Sequence, residues 1–115
     1  LTSETVLEMA TLNGARALGI HSYAGSLEVG KKADFITIDT DAPHLQPVWN
    51  PVATAVFAAQ GGDVDTVVID GQIIMRKRQV LTMDEEAILD NVRGRFRDVA
   101  YRAGVEGLPS AWPSV

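Results

Sequence analysis

Two histidines are the residues of this sequence best suited to metal binding or proton transfer. His21 and His44 have different neighbours, and neither belongs to a His-x-His or His-Glu-x-x-His pattern. A catalytic zinc ion needs about three protein ligands that converge on one open site. The 115-residue chain also has no cysteine, which excludes zinc–cysteine sites, disulfides and a thiol nucleophile. We interpret each histidine as a loop or surface residue and predict no metal ligand in this chain.

Aspartates and serines offer the next candidates for chemistry. Asp34, Asp39 and Asp41 are spaced like ligands of a calcium loop, but alternation along a strand points their carboxylates apart. Ser22 and Ser26 lack the Gly-x-Ser-x-Gly pattern of a hydrolase nucleophile. The sequence therefore predicts neither a calcium site nor a serine nucleophile, and we assign no catalytic or cofactor-binding residue.

Phosphate and nucleic-acid binding are also disfavoured. The glycines of residues 13–19 do not have the spacing of a phosphate loop, and no strand precedes them. The basic run Arg76-Lys77-Arg78 is short, and the formal net charge of the chain is -5. Nucleic acids and anionic membranes attract positive surfaces, so we predict neither as a partner.

The composition is that of an ordinary globular protein. Hydrophobic residues make up 46% of the chain and charged residues 22%, which argues against disorder. The longest apolar runs are far shorter than the roughly 20 residues that span a bilayer. With no signal peptide recognisable, a cytoplasmic location is expected.

The first elements that must position these residues are helical. Thr2 or Ser3 can cap a helix whose apolar residues recur at helical spacing. Asn13-Gly14 interrupts this pattern, and Asn13 is expected to cap a second short helix that ends at Gly19. The sequence predicts a helix, a break and a short helix.

Strands are predicted in the middle of the chain. Residues 33–39 are rich in β-branched and aromatic types. Residues 41–51 contain three prolines and are predicted to be an extended connector, followed by a second strand at 54–59. Asp70-Gly71 is a dipeptide that favours a type I′ turn, so residues 64–69 and 72–80 are predicted to form a hairpin. Arg76, Lys77 and Arg78 would then lie in its second strand.

A helix is predicted near the end of the chain. Thr82 and Glu85 have the spacing of a capping box, and Gly104 is expected to end the helix. The residues after it are expected to form an extended tail. One apolar stripe follows the helix, which indicates that it packs against something: Ile88, Val92, Phe96, Val99 and Ala103.

Four segments together resemble one known family. Residues 9–19, 25–35, 63–76 and 80–89 are similar to the C-terminal end of the amidohydrolase superfamily. The resemblance is to the branch with cytosine and guanine deaminases, triazine hydrolases, and methylthioadenosine/S-adenosylhomocysteine deaminases. It runs in order over residues 1–103. Because the chain also begins at Leu1 rather than Met, we expect it to be the C-terminal fragment of such an enzyme.

The resemblance implies a composite architecture. Enzymes of this family have a (β/α)8 barrel and a small β-sandwich made from both ends of the chain. We therefore expect an α+β chain in which residues 1–23 are helices that close the barrel. Residues 24–82 would be the C-terminal part of the sandwich, and residues 83–115 a helix and tail.

The resemblance also implies an activity for the intact enzyme. It would use a divalent metal, zinc, to activate water for attack on a nitrogen heterocycle or an adenosine derivative, with loss of ammonia or chloride. The family's metal ligands would all lie upstream of Leu1, so we expect this chain to be inactive alone. Its expected partners are the N-terminal barrel portion and, because a sheet edge stays open, a second copy of itself.

One alternative stays open from the residues alone. A few strands and an apolar-striped helix can form a small core. The chain is then a non-catalytic β-rich module for assembly or binding.

Overall fold

Helices and one antiparallel sheet make up the computed structural model, which describes residues 1–105. The predicted α+β class is confirmed. The chain divides into two compact units, one from Leu1 to Thr82 and one that begins at Met83. The first unit holds the sheet and three short α-helices, and the second holds the long helix α4 (Glu85–Ala103).

The N-terminal segment is one helical run without the predicted break. It consists of α1 (Ser3–Glu8), a π-helical segment (Met9–Asn13) and α2 (Gly14–Ala17). Thr2 is the cap, since its hydroxyl accepts a hydrogen bond from the Thr5 amide at 3.3 Å. Asn13 does not cap α2, because its side chain instead accepts a hydrogen bond from Arg16 at 3.0 Å. The wider π turn keeps the helix continuous through Asn13-Gly14.

Four strands form a sheet in the order β1-β2-β3-β4, with every neighbouring pair antiparallel. They are β1 (Phe35–Ile38), β2 (Val64–Ile69), β3 (Gln72–Arg76) and β4 (Gln79–Val80). Val68 of β2 lies opposite Phe35 on one side and Ile73 on the other. The predicted turn between β2 and β3 is confirmed, since φ is 51° at Asp70 and 76° at Gly71.

The strand predicted over residues 72–80 is wrong in its second half. Lys77 and Arg78 have φ values of 49° and 66°, so they form a second tight turn that leads into β4. Arg78 stabilises this unusual backbone by donating hydrogen bonds to the carbonyls of Gly61, at 2.8 Å, and Val64, at 3.2 Å. The basic run therefore ends a strand and makes a turn.

The strand predicted at residues 54–59 is wrong, because this segment forms helix α3 (Pro51–Phe57). The Asn50 side chain accepts hydrogen bonds from the amides of Val52, at 2.9 Å, and Ala53, at 3.1 Å. Pro51 suits the first helical position, where no amide hydrogen is needed. The connector before it is also not fully extended: a 3-10 turn spans Pro43–Leu45.

Helix α4 begins after an aspartate cap and ends at a glycine. The predicted capping box of Thr82 and Glu85 is wrong, because Asp84 is the cap and accepts a hydrogen bond from the Ala87 amide at 3.0 Å. The predicted end at Gly104 is confirmed by its left-handed φ of 67°. The predicted tail with Pro109, Trp112 and Pro113 lies outside the described residues.

The hydrophobic core is small. Within residues 1–105, the buried apolar residues are Ala15, Leu45 and Val68, and Leu45 is the most enclosed at 2% exposed. Ala15 belongs to the helical run and Val68 to the central part of the sheet. Much apolar surface of the first unit is therefore left uncovered.

Gly25 marks the closest approach between a loop and the helical run. A Cβ atom there would lie 2.5 Å from Ala15 Cβ and 3.2 Å from the Thr11 carbonyl oxygen. Gly30 has the same φ of +92°, but a Cβ atom at Gly30 would meet nothing within 4 Å. A comparison of alanine substitutions at the two glycines therefore separates the cost of backbone strain from the cost of steric overlap.

We predict that Gly25→Ala destabilises the chain more than Gly30→Ala does. Gly30→Ala should lower the free energy of unfolding by about 1 kcal/mol, because an L residue is strained at positive φ. Gly25→Ala should cost about 1–3 kcal/mol more, because the added methyl overlaps Ala15. Urea denaturation of both variants measures the difference. Equal losses of unfolding free energy in the two variants would show that the added methyl at Gly25 does not overlap the helix.

Candidate functional site

The two histidines lie in separate loops. His21 lies two residues after Gly19, in the turn that follows the helical run, and is exposed. His44 lies in the 3-10 turn, with its Nε2 atom 2.9 Å from Asp63 Oδ2. In the described part of the chain, no three His, Asp or Glu residues form a group that could hold a metal ion. Residues 1–105 therefore do not fit a catalytic metal.

Asp63 is the centre of a small polar cluster that the sequence analysis missed. Its carboxylate accepts a hydrogen bond from the Gln60 amide at 2.7 Å, while Gln60 and Asp63 cap a short 3-10 turn reciprocally. The bond from Gln60 and the contact with His44 lower the pKa of Asp63. Its carboxylate is therefore held ionised as a hydrogen-bond acceptor, which does not suit a general acid. The Gln-x-x-Asp spacing is the sequence signal that could have found it.

A small cavity of about 110 Å³ adjoins this cluster. Asp39, Asp63, Asp65 and Arg78 supply its polar lining. Arg78 is occupied by the carbonyls of Gly61 and Val64. We interpret the cluster as a connection between the 3-10 turns and the β3–β4 turn.

The candidate calcium ligands serve the sheet instead. Asp34 precedes β1 and accepts a hydrogen bond from the Asp70 amide at 2.6 Å, whereas Asp39 follows β1 and accepts one from the Asp41 amide at 3.0 Å. Lys32 Nζ lies 2.9 Å from Asp70 Oδ2, and this carboxylate raises the pKa of Lys32. The contacts of Asp34 and Lys32 with Asp70 attach the β2–β3 turn to the segment before β1.

The serines do not have the setting of a nucleophile. The Ser26 hydroxyl donates to Glu28 and accepts from Lys31 Nζ at 2.7 Å. This hydroxyl and the Lys31 ammonium group lower the pKa of Glu28, which makes Glu28 a poor base. Ser22 lies in the turn region with His21 and is exposed. The Ser26 cluster is therefore a structural feature of the loop before β1.

An apolar groove of about 1070 Å³ lies between the helical run and the sheet. Ala15 and Val68 are buried in its wall, while the surrounding side chains are more exposed. Only a few polar residues contribute, among them Lys32 and Asp34. Its apolar lining comes from the helical run, the sheet and the loop between them, and includes Leu7, Leu18, Leu27, Phe35, Ile36 and Ile69. Such a surface suits another protein surface better than it suits catalysis.

The amino-acid sequence of this chain matches a known class of hydrolases. The sequence model of the Amidohydrolase family matches residues 1–74, and this chain belongs to that family. The resemblance drawn from the sequence is thereby confirmed.

Particular relatives narrow the class. The chain is 47% identical over 93 residues to 5-methylthioadenosine/S-adenosylhomocysteine deaminase 1 of Syntrophus aciditrophicus, which covers 81% of this chain and 21% of that protein. It is 44% identical over 103 residues to the 5'-deoxyadenosine deaminase of Methanosarcina acetivorans, or 90% of this chain and 23% of that protein. The chain therefore spans about a fifth of the length of these relatives.

Solved structures of the same kind share the fold. An adenosine deaminase from Xanthomonas campestris with bound zinc superposes with a TM-score of 0.79 at 37% identity, over 89% of this chain and 23% of that one. The zinc complex of atrazine chlorohydrolase TrzN from Arthrobacter aurescens gives a TM-score of 0.72 at 26% identity, over 82% of this chain and 20% of that one.

No helix within residues 1–105 is both long and apolar enough to cross a membrane.

The Asp63 cluster predicts a pH-dependent stability. Because folding lowers the pKa of Asp63, its contribution is present above the unfolded pKa of about 3.9 and is lost as the pH falls through the lower folded value. We expect Asp63→Asn to lower the free energy of unfolding at pH 7 and to reduce its decline below about pH 4.

Urea denaturation from pH 7 to pH 2.5 measures this effect. Asp41→Asn is the matched control, since it removes one exposed carboxylate from the same region. The control should keep the acid-dependent decline of the original chain. An unchanged decline in Asp63→Asn would contradict the assigned role.

Proposed function

We propose that this chain is the C-terminal part of a metal-dependent amidohydrolase that deaminates a nitrogen heterocycle, with an adenosine derivative as the favoured substrate. Membership of the family and the names of the relatives support the reaction class. The adenosine-type relatives are more similar in sequence than the triazine hydrolase, which supports the substrate class.

The proposed division of labour leaves catalysis to the rest of the enzyme. The related structures contain zinc, but the described residues here offer no group that fits a metal. In the proposal, residues 1–23 close the barrel, residues 24–82 form the C-terminal share of the sandwich, and residues 83–115 form the last helix and tail. The chain alone is therefore inactive, and the metal and the substrate are held by the N-terminal portion.

The apolar groove is the observation that carries this proposal. Two walls of apolar side chains face a space of about 1070 Å³ that this stretch of chain does not fill. Burial of apolar surface is the main favourable term in folding, so a groove of this size favours a partner surface. In the proposal that partner is the N-terminal barrel portion of the same enzyme.

The direct test compares the chain with the longer protein encoded by its gene. We expect the longer protein to contain a His-x-His motif upstream of Leu1 and to release ammonia from 5'-methylthioadenosine or 5'-deoxyadenosine. The 115-residue chain should release none under the same conditions. Turnover by the chain alone, with about one metal ion bound per chain, would overturn the proposed division.

The alternative module is distinguished by the same experiment. The open edge of β1 favours it, because an unpaired strand can add to another sheet. A start codon directly before Leu1, without an upstream His-x-His, would exclude the fragment and favour an assembly module.

The groove predicts different effects for two exposed leucines. Leu27 lines the groove and is 68% exposed, whereas Leu81 is 55% exposed and is not part of the lining. Both lie outside helices and strands. In the longer protein, Leu27→Ser should lower the free energy of unfolding by about 2 kcal/mol, because the partner surface buries Leu27.

Leu81→Ser should change the stability of the longer protein by less than about 0.5 kcal/mol. In the 115-residue chain, both variants should have small effects. Chemical denaturation of the four proteins measures the contrast. Equal effects of Leu27→Ser in the chain and in the longer protein would show that the groove stays open.

A further inference from the structure

Helix α4 carries an apolar stripe with the spacing of a two-helix seam. Leu89, Val92, Phe96, Val99 and Ala103 follow one another at intervals of three and four residues. We call these five residues the α4 stripe. No residue of α4 is buried, and Leu89 and Phe96 are 51% and 72% exposed. Alternating intervals of three and four keep a stripe facing one partner helix along its length.

The charges of α4 indicate the orientation of that partner. Asp84, Glu85, Glu86 and Asp90 make the beginning of the helix acidic. The second half is basic despite Asp98, since it contains Arg95, Arg97 and Arg102, and Arg93 lies just before the midpoint. A parallel pair of such helices would place acidic ends together and basic ends together. An antiparallel pair places each acidic end beside a basic end, which is electrostatically favourable.

We propose that α4 is a dimerisation helix that pairs antiparallel with α4 of a second copy of this chain. The midpoint of Glu85–Ala103 is Gly94, so a two-fold axis there places Leu89 opposite Val99 and Val92 opposite Phe96. Four of the five stripe residues are then buried in a self-complementary contact, and the fifth, Ala103, lies opposite Glu85 of the second copy. This inference goes beyond the proposed function and does not depend on it.

The central arginines are compatible with this axis. Arg93 lies opposite Arg95 of the second copy in the pair, but each already has a partner within its own helix. Arg93 donates to Asp90 Oδ1 at 2.9 Å, and Arg95 donates to Asn91 Oδ1 at 2.9 Å. These contacts direct both guanidinium groups towards acceptors on their own helix.

The first test uses two aromatic residues on different faces of α4. Phe96 belongs to the stripe, whereas Tyr101 lies outside it and is equally exposed at 73%. Phe96→Gln should raise the dimer dissociation constant of the 115-residue chain by at least about tenfold, measured by sedimentation equilibrium. Tyr101→Gln should change it by less than about threefold.

Three results would overturn the proposal. A chain that stays monomeric at all concentrations has no such dimer. Equal effects of the two variants would place the contact elsewhere. A monomeric chain whose thermal midpoint falls in Phe96→Gln but not in Tyr101→Gln has its stripe covered by another part of the same molecule.

The second test measures orientation by disulfide formation. The chain has no cysteine, so Leu89→Cys and Val99→Cys introduce single thiols. These positions are ten residues apart, about 15 Å along the helix, whereas a disulfide needs Cα atoms within about 7 Å. Antiparallel pairing predicts that a mixture of the two variants forms the mixed disulfide, while each variant alone stays reduced. Efficient disulfides within each separate variant would show a parallel pair and contradict the proposal.

Discussion

The limited burial of apolar surface is the physical constraint on which the first unit depends. Ala15 of the helical run and Val68 of the sheet are buried, and both line the apolar groove. Gly25 is required beside Ala15, because a Cβ atom would lie 2.5 Å from the Ala15 methyl. Yet few side chains are enclosed, while the apolar groove remains open. The few buried residues therefore belong separately to the helical run and to the sheet, and they do not complete a core between the two.

Polar contacts determine the loops that this limited core cannot fix by packing. Asp34 and Lys32 hold the β2–β3 turn from one side through the backbone and side chain of Asp70. Arg78 and Asp63 hold the β3–β4 turn and the neighbouring 3-10 turns. Each contact joins segments that are distant from one another or have irregular backbone. These titratable groups are therefore engaged in structural contacts.

Sequence reasoning succeeded where the deciding signal is local. Asp70-Gly71 fixes a turn by backbone preference alone, and Gly104 ends a helix for the same reason. Sequence reasoning failed where a side chain can form a hydrogen bond with either of two nearby groups. Asn50 caps α3, which forms in place of the predicted strand, whereas Asn13 accepts a hydrogen bond from Arg16 within a continuous helical run. The left-handed backbone of Lys77 and Arg78 depends on carbonyl acceptors about 15 residues away, which no local pattern shows. The contact of His44 with Asp63 was missed for a similar reason, because the two residues are 19 positions apart.

The two uncovered apolar surfaces differ in what they need in order to exist. The groove combines side chains from the helical run and from two strands, so it is formed only after the first unit has folded. The α4 stripe belongs to one helix, and it exists whenever that helix is formed. A 19-residue helix is marginal on its own, since most helical stability in proteins comes from packing of the apolar face. A partner for α4 therefore stabilises the helix itself, whereas a partner for the groove recognises a fold that is already present.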